Sequence, residues 1–149
     1  MKVSEFMTKE VIVCNENQTV SDAAKVMLEN NFSVIPVVND AGDLVGIVTE
    51  SDFVGKDVQI PHALASLKRV LGENHYYGNI EEIYSRAKER KLSEVMSKHP
   101  VTVDLDFTLS AVVERMAGRN LKRLPVVDGG KIVGIVTRKN LIKAFSKIA

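Results

Sequence analysis

Among 149 residues there is no tryptophan, and three tyrosines and five phenylalanines are the whole aromatic complement. A core must therefore be built from Val, Ile, Leu and Met, and clusters of β-branched residues favour strands, so a mixed α and β chain is expected. A single cysteine, Cys14, excludes an internal disulfide and a multi-thiolate zinc site. It fits a reducing compartment, with the cytoplasm as the expected location. Neither charge sign dominates: 20 Lys+Arg against 19 Asp+Glu leave +1, which provides no bulk field for nucleic acid or an acidic membrane. No apolar run approaches the roughly 18 residues of a membrane span, and Met1-Lys2-Val3-Ser4-Glu5 lacks the apolar stretch of a signal peptide. A soluble, unprocessed protein without membrane or nucleic-acid partners is expected. His62, His75 and His99 have no paired spacing, so no metal is expected. Nucleophile elbow, GxGxxG turn and P-loop are all missing. Catalysis is therefore not expected, and a nucleotide would have to be held by another device.

What the chain does contain is an internal repeat. Ser4-Glu5-Phe6-Met7 recurs as Ser93-Glu94-Val95-Met96, and Thr19-Val20-Ser21 as Thr108-Leu109-Ser110, each 89 positions on. The same shift carries Val34-Ile35-Pro36-Val37-Val38 onto Arg123-Leu124-Pro125-Val126-Val127. Val45-Gly46-Ile47-Val48-Thr49 then meets Val133-Gly134-Ile135-Val136-Thr137 at a shift of 88, one residue having been lost in the turn between. A copy of little more than fifty residues buries a core poorly on its own, which predicts that the two pack as one pseudo-symmetric unit with related clefts.

Within the first copy, Val11-Ile12-Val13 reads as a strand, and Thr19 caps a helix with Val20, Ala23, Ala24, Met27 and Leu28 at helical spacing. Asp22 completes a capping box. Two apolar runs, 34–38 and 44–48, flank a five-residue hairpin loop at 39–43, and Thr49 opens a second helix. The second copy repeats this order with the tighter turn Asp128-Gly129-Gly130-Lys131, giving β-α-β-β-α twice. The division predicted is 1–54 for the first repeat, 55–91 for an insertion and 92–149 for the second repeat. The insertion reads as two helices. One starts near Pro61, carries Leu64, Leu67, Val70 and Leu71 and ends at Gly72; the other begins at Asn79 with Ile80, Ile83, Tyr84 and Ala87 on one face.

Gly46-Ile47-Val48-Thr49-Glu50-Ser51-Asp52 resembles the glycine-apolar-apolar-Thr-x-x-Asp ending of a CBS domain. Met7-Thr8, the Pro-Val-Val strand at Pro36 and the duplication of all three extend that resemblance over the chain outside the insertion, as a tandem CBS pair or Bateman module. It implies an α/β (α+β) fold of two repeats paired by a pseudo-two-fold axis. It also implies a regulatory sensor of AMP, ADP or ATP, with S-adenosylmethionine less favoured, acting as a homodimer on a regulated protein that the sequence does not identify.

By the resemblance, Thr49 and Asp52 hold the ribose and phosphate end of a ligand, while Ile47 on one wall and Pro100, Val101, Leu121 and Pro125 on the other enclose the base. Lys122, Arg123 and Lys139 match positions where the family places phosphate-binding cations. A plain structural role stands beside each assignment. Thr49 with Asp52 is also a capping box, and a surface cation usually serves only solvation. A pseudo-symmetric second site would use Val11, Val34, Pro36, Thr137 and Asn140. It departs from the pattern, since Asn140 replaces the Asp and Ser33-Val34 stand where the other copy has Lys122-Arg123, so it is expected to be weak or empty. The rival expectation is an interaction protein with lapsed sites that docks through the insertion.

Overall fold

A computed structural model describes residues 1–50, 52 and 80–148. The chain runs through a 3-10 turn Val3–Glu5, β1 Cys14–Asn15, α1 Val20–Asn30, β2 Val34–Val38, β3 Leu44–Thr49, α2 Ile80–Ala87 and α3 Leu92–Val95. It continues with β4 Ser97–Lys98, β5 Val103–Asp104, α4 Leu109–Gly118, β6 Arg123–Asp128, β7 Lys131–Thr137 and α5 Arg138–Ile148. The expected first helix of the insertion lies outside the described residues. The second expected helix is α2, whose Ala87 is buried.

Two compact units result, and they do not coincide with the two repeats. One comprises Met1–Ile12, Gly42–Leu44 and Val101–Ala149; the other comprises Val13–Ala41 and Val45–Pro100. Each unit thus takes the opening segment of the opposite repeat. In the unit containing the first hairpin, the strand order is β1-β2-β3-β4, with β1 parallel to β2 and β4 antiparallel to β3 through Gly46↔Lys98 and Ile47↔Ser97. In the other, the order is β5-β6-β7, parallel then antiparallel, and Thr8 pairs with Ile135 where β4 pairs in the first.

The exchange is fixed by hydrogen bonds that obey the repeat. Val20 N–H donates to the Arg90 carbonyl and Leu92 N–H to the Gln18 carbonyl, at 2.9 and 2.8 Å. Their counterparts are Leu109 N–H to the Met1 carbonyl and Val3 N–H to the Phe107 carbonyl, at 2.9 and 2.8 Å. The cores match in the same register: Leu92, Val95, Cys14, Ala23, Met27, Ile35, Val37 and Val48 in one, Val3, Phe6, Val103, Val112, Met116, Leu124, Val126 and Val136 in the other. Two glycines make the crossing segments fit. A Cβ on Gly134 would overlap the sulfur of Met7, and one on Gly46 would lie 2.5 Å from the Met96 sulfur and 2.9 Å from the Ser97 carbonyl oxygen.

Local chemistry accounts for the element boundaries. Thr19 and Asp22 form the predicted reciprocal cap, Asp22 N–H to Thr19 Oγ1 at 3.2 Å and Thr19 N–H to Asp22 Oδ2 at 2.9 Å. The five-residue loop at 39–43 contains Gly42 at φ +86°, and the tight turn has Gly129 and Gly130 at +58° and +85°, as a two-residue hairpin of this hand requires. Two expectations need correction. The first strand is Cys14–Asn15, not 11–13, because the chain reaches β2 only at the buried Cys14, paired with Val37, while Ile12 is exposed. Leu28, placed on the apolar stripe of α1, is 83% exposed, and the half-buried Val26 packs on the core instead.

Candidate functional site

The end of β3 brings three of the proposed ligand residues together. Ile47 is half-buried and paired with Ser97; Thr49 is half-buried; Asp52, in helical backbone, is only 4% exposed. Thr49 N–H donates to Asp52 Oδ2 at 2.7 Å, so one carboxylate oxygen anchors the backbone where the chain turns from strand into helix. A carboxylate held that deep needs strong partners. Pro100, half-buried, follows His99, whose φ of +57° is unusual for a non-glycine residue.

The other unit gathers the basic residues. Lys122 is exposed, Arg123 begins β6 half-buried and Pro125 is buried two residues on. Arg123 lies opposite Thr137 across the ladder, and Pro125 opposite Ile135. Thr137 is followed at once by α5, which carries the exposed Lys139, so Arg123 and Lys139 both flank the same strand end. Burial pulls the Arg123 guanidinium below its ordinary value, the expected direction for a cation withdrawn from water. Val101 and Leu121 are half-buried against this unit's core.

The second set is divided. Val34, half-buried, and Pro36, buried, stand on β2, whereas the half-buried Val11 belongs to the N-terminal segment. Asn140 is buried at 6% exposure, and its Oδ1 accepts from Thr137 N–H at 2.8 Å and from Thr137 Oγ1 at 3.0 Å. Its Nδ2 donates to Thr8 Oγ1 at 3.1 Å. The sequence marked Met7-Thr8 as part of a motif but assigned Thr8 no partner. The available signal was the repeat register, which sets a second hydroxyl, Ser97, at the equivalent position.

Cys14 is buried, and its thiol is raised above the ordinary value by that burial, with the Asp22 charge adding to it. It is a packing residue of the β1–β2 pair. Among the described residues no group of three or more His, Cys, Asp or Glu is placed to hold a metal, and no helix is long and apolar enough to cross a membrane.

The repeat, the Thr-x-x-Asp turn after β3 and its altered copy after β7 are what a comparison with known families has to explain. The CBS domain model matches twice, over residues 3–58 and 92–147. The chain belongs to the CBS-domain family. As a CBS pair it is 32% identical over 154 residues to the uncharacterized protein MJ1426 of Methanocaldococcus jannaschii, covering 97% of this chain and 91% of that one. It superimposes on CBSX2 of Arabidopsis thaliana, solved in complex with AMP, with a TM-score of 0.72, at 26% identity and with coverage of 99% and 97%. Protein MJ1225 of M. jannaschii gives a TM-score of 0.73 at 30% identity, over 97% of this chain and 47% of that one. CBS pairs also occur within enzymes. A homoserine O-acetyltransferase of Methanococcus vannielii is 30% identical over 97% of this chain, which spans 25% of that protein.

Proposed function

We propose that this CBS pair is a regulatory adenine-nucleotide sensor of the AMP, ADP or ATP class, with no catalysis of its own. The observation that carries the reading is Asp52: a carboxylate at 4% exposure, fixed through one oxygen to the Thr49 N–H, in the residue pattern of the family's ligand turn. A vicinal ribose diol is a fitting partner for such a group, because a carboxylate accepts from two hydroxyls at once. Lys122, Arg123 and Lys139 supply the cations a phosphate needs, and Arg123, partly desolvated, is the one whose charge is screened least. Ile47, Pro100, Val101, Leu121 and Pro125 are the apolar residues assigned to the base. The AMP bound to CBSX2 supports the ligand class.

The module acts as a homodimer on a partner protein in the cytoplasm. Support for the dimer comes from a groove of about 360 Å³ lined by Leu109, Val113, Leu141, Ile142, Phe145 and Ile148 of α4 and α5. Phe145 is 79% and Ile142 69% exposed, an apolar surface that a second copy would remove from water.

Thermal unfolding with AMP, ADP, ATP and S-adenosylmethionine tests the assignment. A ligand at 100 times its Kd adds about 2.7 kcal/mol to stability, and the expected result is stabilisation by at least one of the nucleotides. No shift with any of them refutes the sensor and favours an interaction module whose sites have lapsed.

A further inference from the structure

In the unit of Val13–Ala41 and Val45–Pro100 the start of α1 is covered. Val20 N–H donates to the Arg90 carbonyl at 2.9 Å and Ser21 N–H to the Lys88 carbonyl at 3.0 Å. Ala87, the last residue of α2, is buried in the core on which Val26 of α1 packs. A short helix and the turn after it therefore close over one flank of α1.

The repeat register matches α4 of the other unit to α1, and there the cover is only partly repeated. Leu109 N–H donates to the Met1 carbonyl at 2.9 Å, as Val20 does to Arg90, and Lys2 bridges Thr108 as Lys91 bridges Thr19. Among the described residues no carbonyl takes the N–H of Ser110, the counterpart of Ser21. Beside α4 there is instead an open groove of about 350 Å³, lined by Phe107, Ala111, Glu114, Arg115, Gly118 and Arg119. Ala111 to Arg119 spans about 12 Å of helix, roughly two turns, which is the length of the eight-residue α2. Helical spacing sets this stripe on the opposite flank of the buried Val112 and Met116 from Leu109 and Val113, so a second copy seated on those two leaves it open.

The charges of the two flanks are reversed. Asp22 and Glu29 of α1 match Ala111 and Gly118, while Val26 and Asn30 match Arg115 and Arg119. The segment that covers α1 carries Arg86, Lys88 and Arg90; a flank that has lost two acids and gained two guanidinium groups calls for a cover of the opposite sign. Arg115 is already held in place. Its guanidinium lies 4.7 Å from the centroid of the Phe107 ring, and Nη1 donates to the Thr102 carbonyl at 2.7 Å, which orients the group and leaves its other N–H donors for a ligand. Neither Arg115 nor Arg119 has an acidic partner among the described residues.

We propose that the groove beside α4 docks an acidic amphipathic helix of a partner protein, about two turns long, lying against α4 as α2 closes over α1. Its apolar side meets Phe107, Ala111 and Gly118, and its carboxylates pair with Arg115 and Arg119.

Fluorescence anisotropy of two labelled peptides titrated with the full chain tests this. One peptide copies residues 80–90, in which acidic and basic residues balance; the other carries Arg86→Glu and Lys88→Glu in the same sequence. The acidic peptide should bind saturably, at least about tenfold more tightly than the balanced one, and more weakly as salt rises. The Arg119 side chain is exposed and has no partner among the described residues, so Arg119→Glu keeps the fold. It should weaken the acidic peptide about tenfold and bring the two peptides within about twofold of each other. Gly118→Gln leaves the charge alone. A Cβ there meets open space and helix propensity improves, yet a side chain in the groove should weaken the acidic peptide roughly fivefold.

Absence of binding by the acidic peptide overturns the proposal, as does either variant folding and leaving that binding unchanged. An oligothymidine of equal charge held as tightly also overturns it, since charge alone then accounts for the retention. None of these outcomes touches the nucleotide reading, because the groove shares no residue with that site.

Discussion

Asp52→Asn separates a helix cap from a ribose acceptor, and the chain already holds the control for it. At the equivalent place Asn140 accepts from Thr137 N–H at 2.8 Å, against 2.7 Å for Asp52 and Thr49 N–H, so an amide fits the cap without rearrangement. What the substitution removes from the free protein is the negative charge near a helix start, worth about 0.3–1 kcal/mol. Part of that is offset because a buried amide is cheaper to desolvate than a carboxylate, and the net loss of stability should stay below about 1 kcal/mol. The bound state loses more. Hydrogen bonds to an ionised group contribute roughly 1.5–3 kcal/mol each, and with the amide oxygen occupied by the cap at least one is lost, equivalent to about 10- to 150-fold in Kd. Calorimetric titration with AMP reads the second quantity and urea unfolding of the free protein the first. Reduced stability with unchanged AMP affinity would show that Asp52 is a cap and nothing more, and would refute the site assignment.

Other expected outcomes follow from single residues. Arg123→Ala should weaken AMP roughly tenfold while adenosine stays within about twofold, because only the phosphate uses that charge; equal losses for both ligands would point to the base. In urea unfolding, Gly46→Ala should cost about 1–3 kcal/mol and Gly134→Ala less. The first added methyl meets the Ser97 backbone carbonyl as well as Met96, whereas the second meets only the pliable Met7 side chain. Phe145→Glu should convert a dimer to a monomer in sedimentation with little change in protomer stability, given that Phe145 is exposed on the protomer; a wild type that is already monomeric refutes the groove as interface. Burial raises the Cys14 thiol above its ordinary 9.0, so the folded state holds its proton longer than the unfolded chain does. That contribution is fully present below pH 9.0 and is lost as pH rises through the folded value. Cys14→Ala should therefore flatten the fall of stability above pH 9.0, and an unaltered slope would show that the thiol makes no such contribution.

The repeat made most of this fold legible, because the two copies constrain one another. Thr19 with Asp22, the loop at 39–43 and the Gly129-Gly130 turn are local chemistry, readable from a few adjacent residues. The failures are non-local. Val11 and Val13 have the propensity of a strand, but pairing with β2 depends on where the chain passes it, which is at Cys14. Leu28 has the right spacing for the buried stripe of α1, yet the stripe is narrow and the helix turns Val26 toward the core in its place. The exchange of opening segments left no trace in the pattern of either repeat, since Val3 and Leu92 look equally apolar whichever core receives them. In the candidate site, the motif identified Thr49, Asp52 and Asn140, but the bond between Asn140 and Thr8 spans 132 positions and no spacing rule reaches that far.

Because Met1–Ile12 belongs to the unit built from Val101–Ala149, the protein cannot be completed in the order in which it is synthesised. At roughly 5–20 residues per second, the first segment leaves the ribosome several seconds or more before the strands that will cover it exist. During that interval Val3 and Phe6 have no core to enter. The earlier-made unit waits as well, for Leu92 and Val95 to arrive after the insertion. The unit of Val13–Ala41 and Val45–Pro100 can close once Leu92 and Val95 have emerged, whereas the other must wait for Val101–Ala149, so nascent chains arrested anywhere between the two repeats should remain sensitive to protease over their first dozen residues.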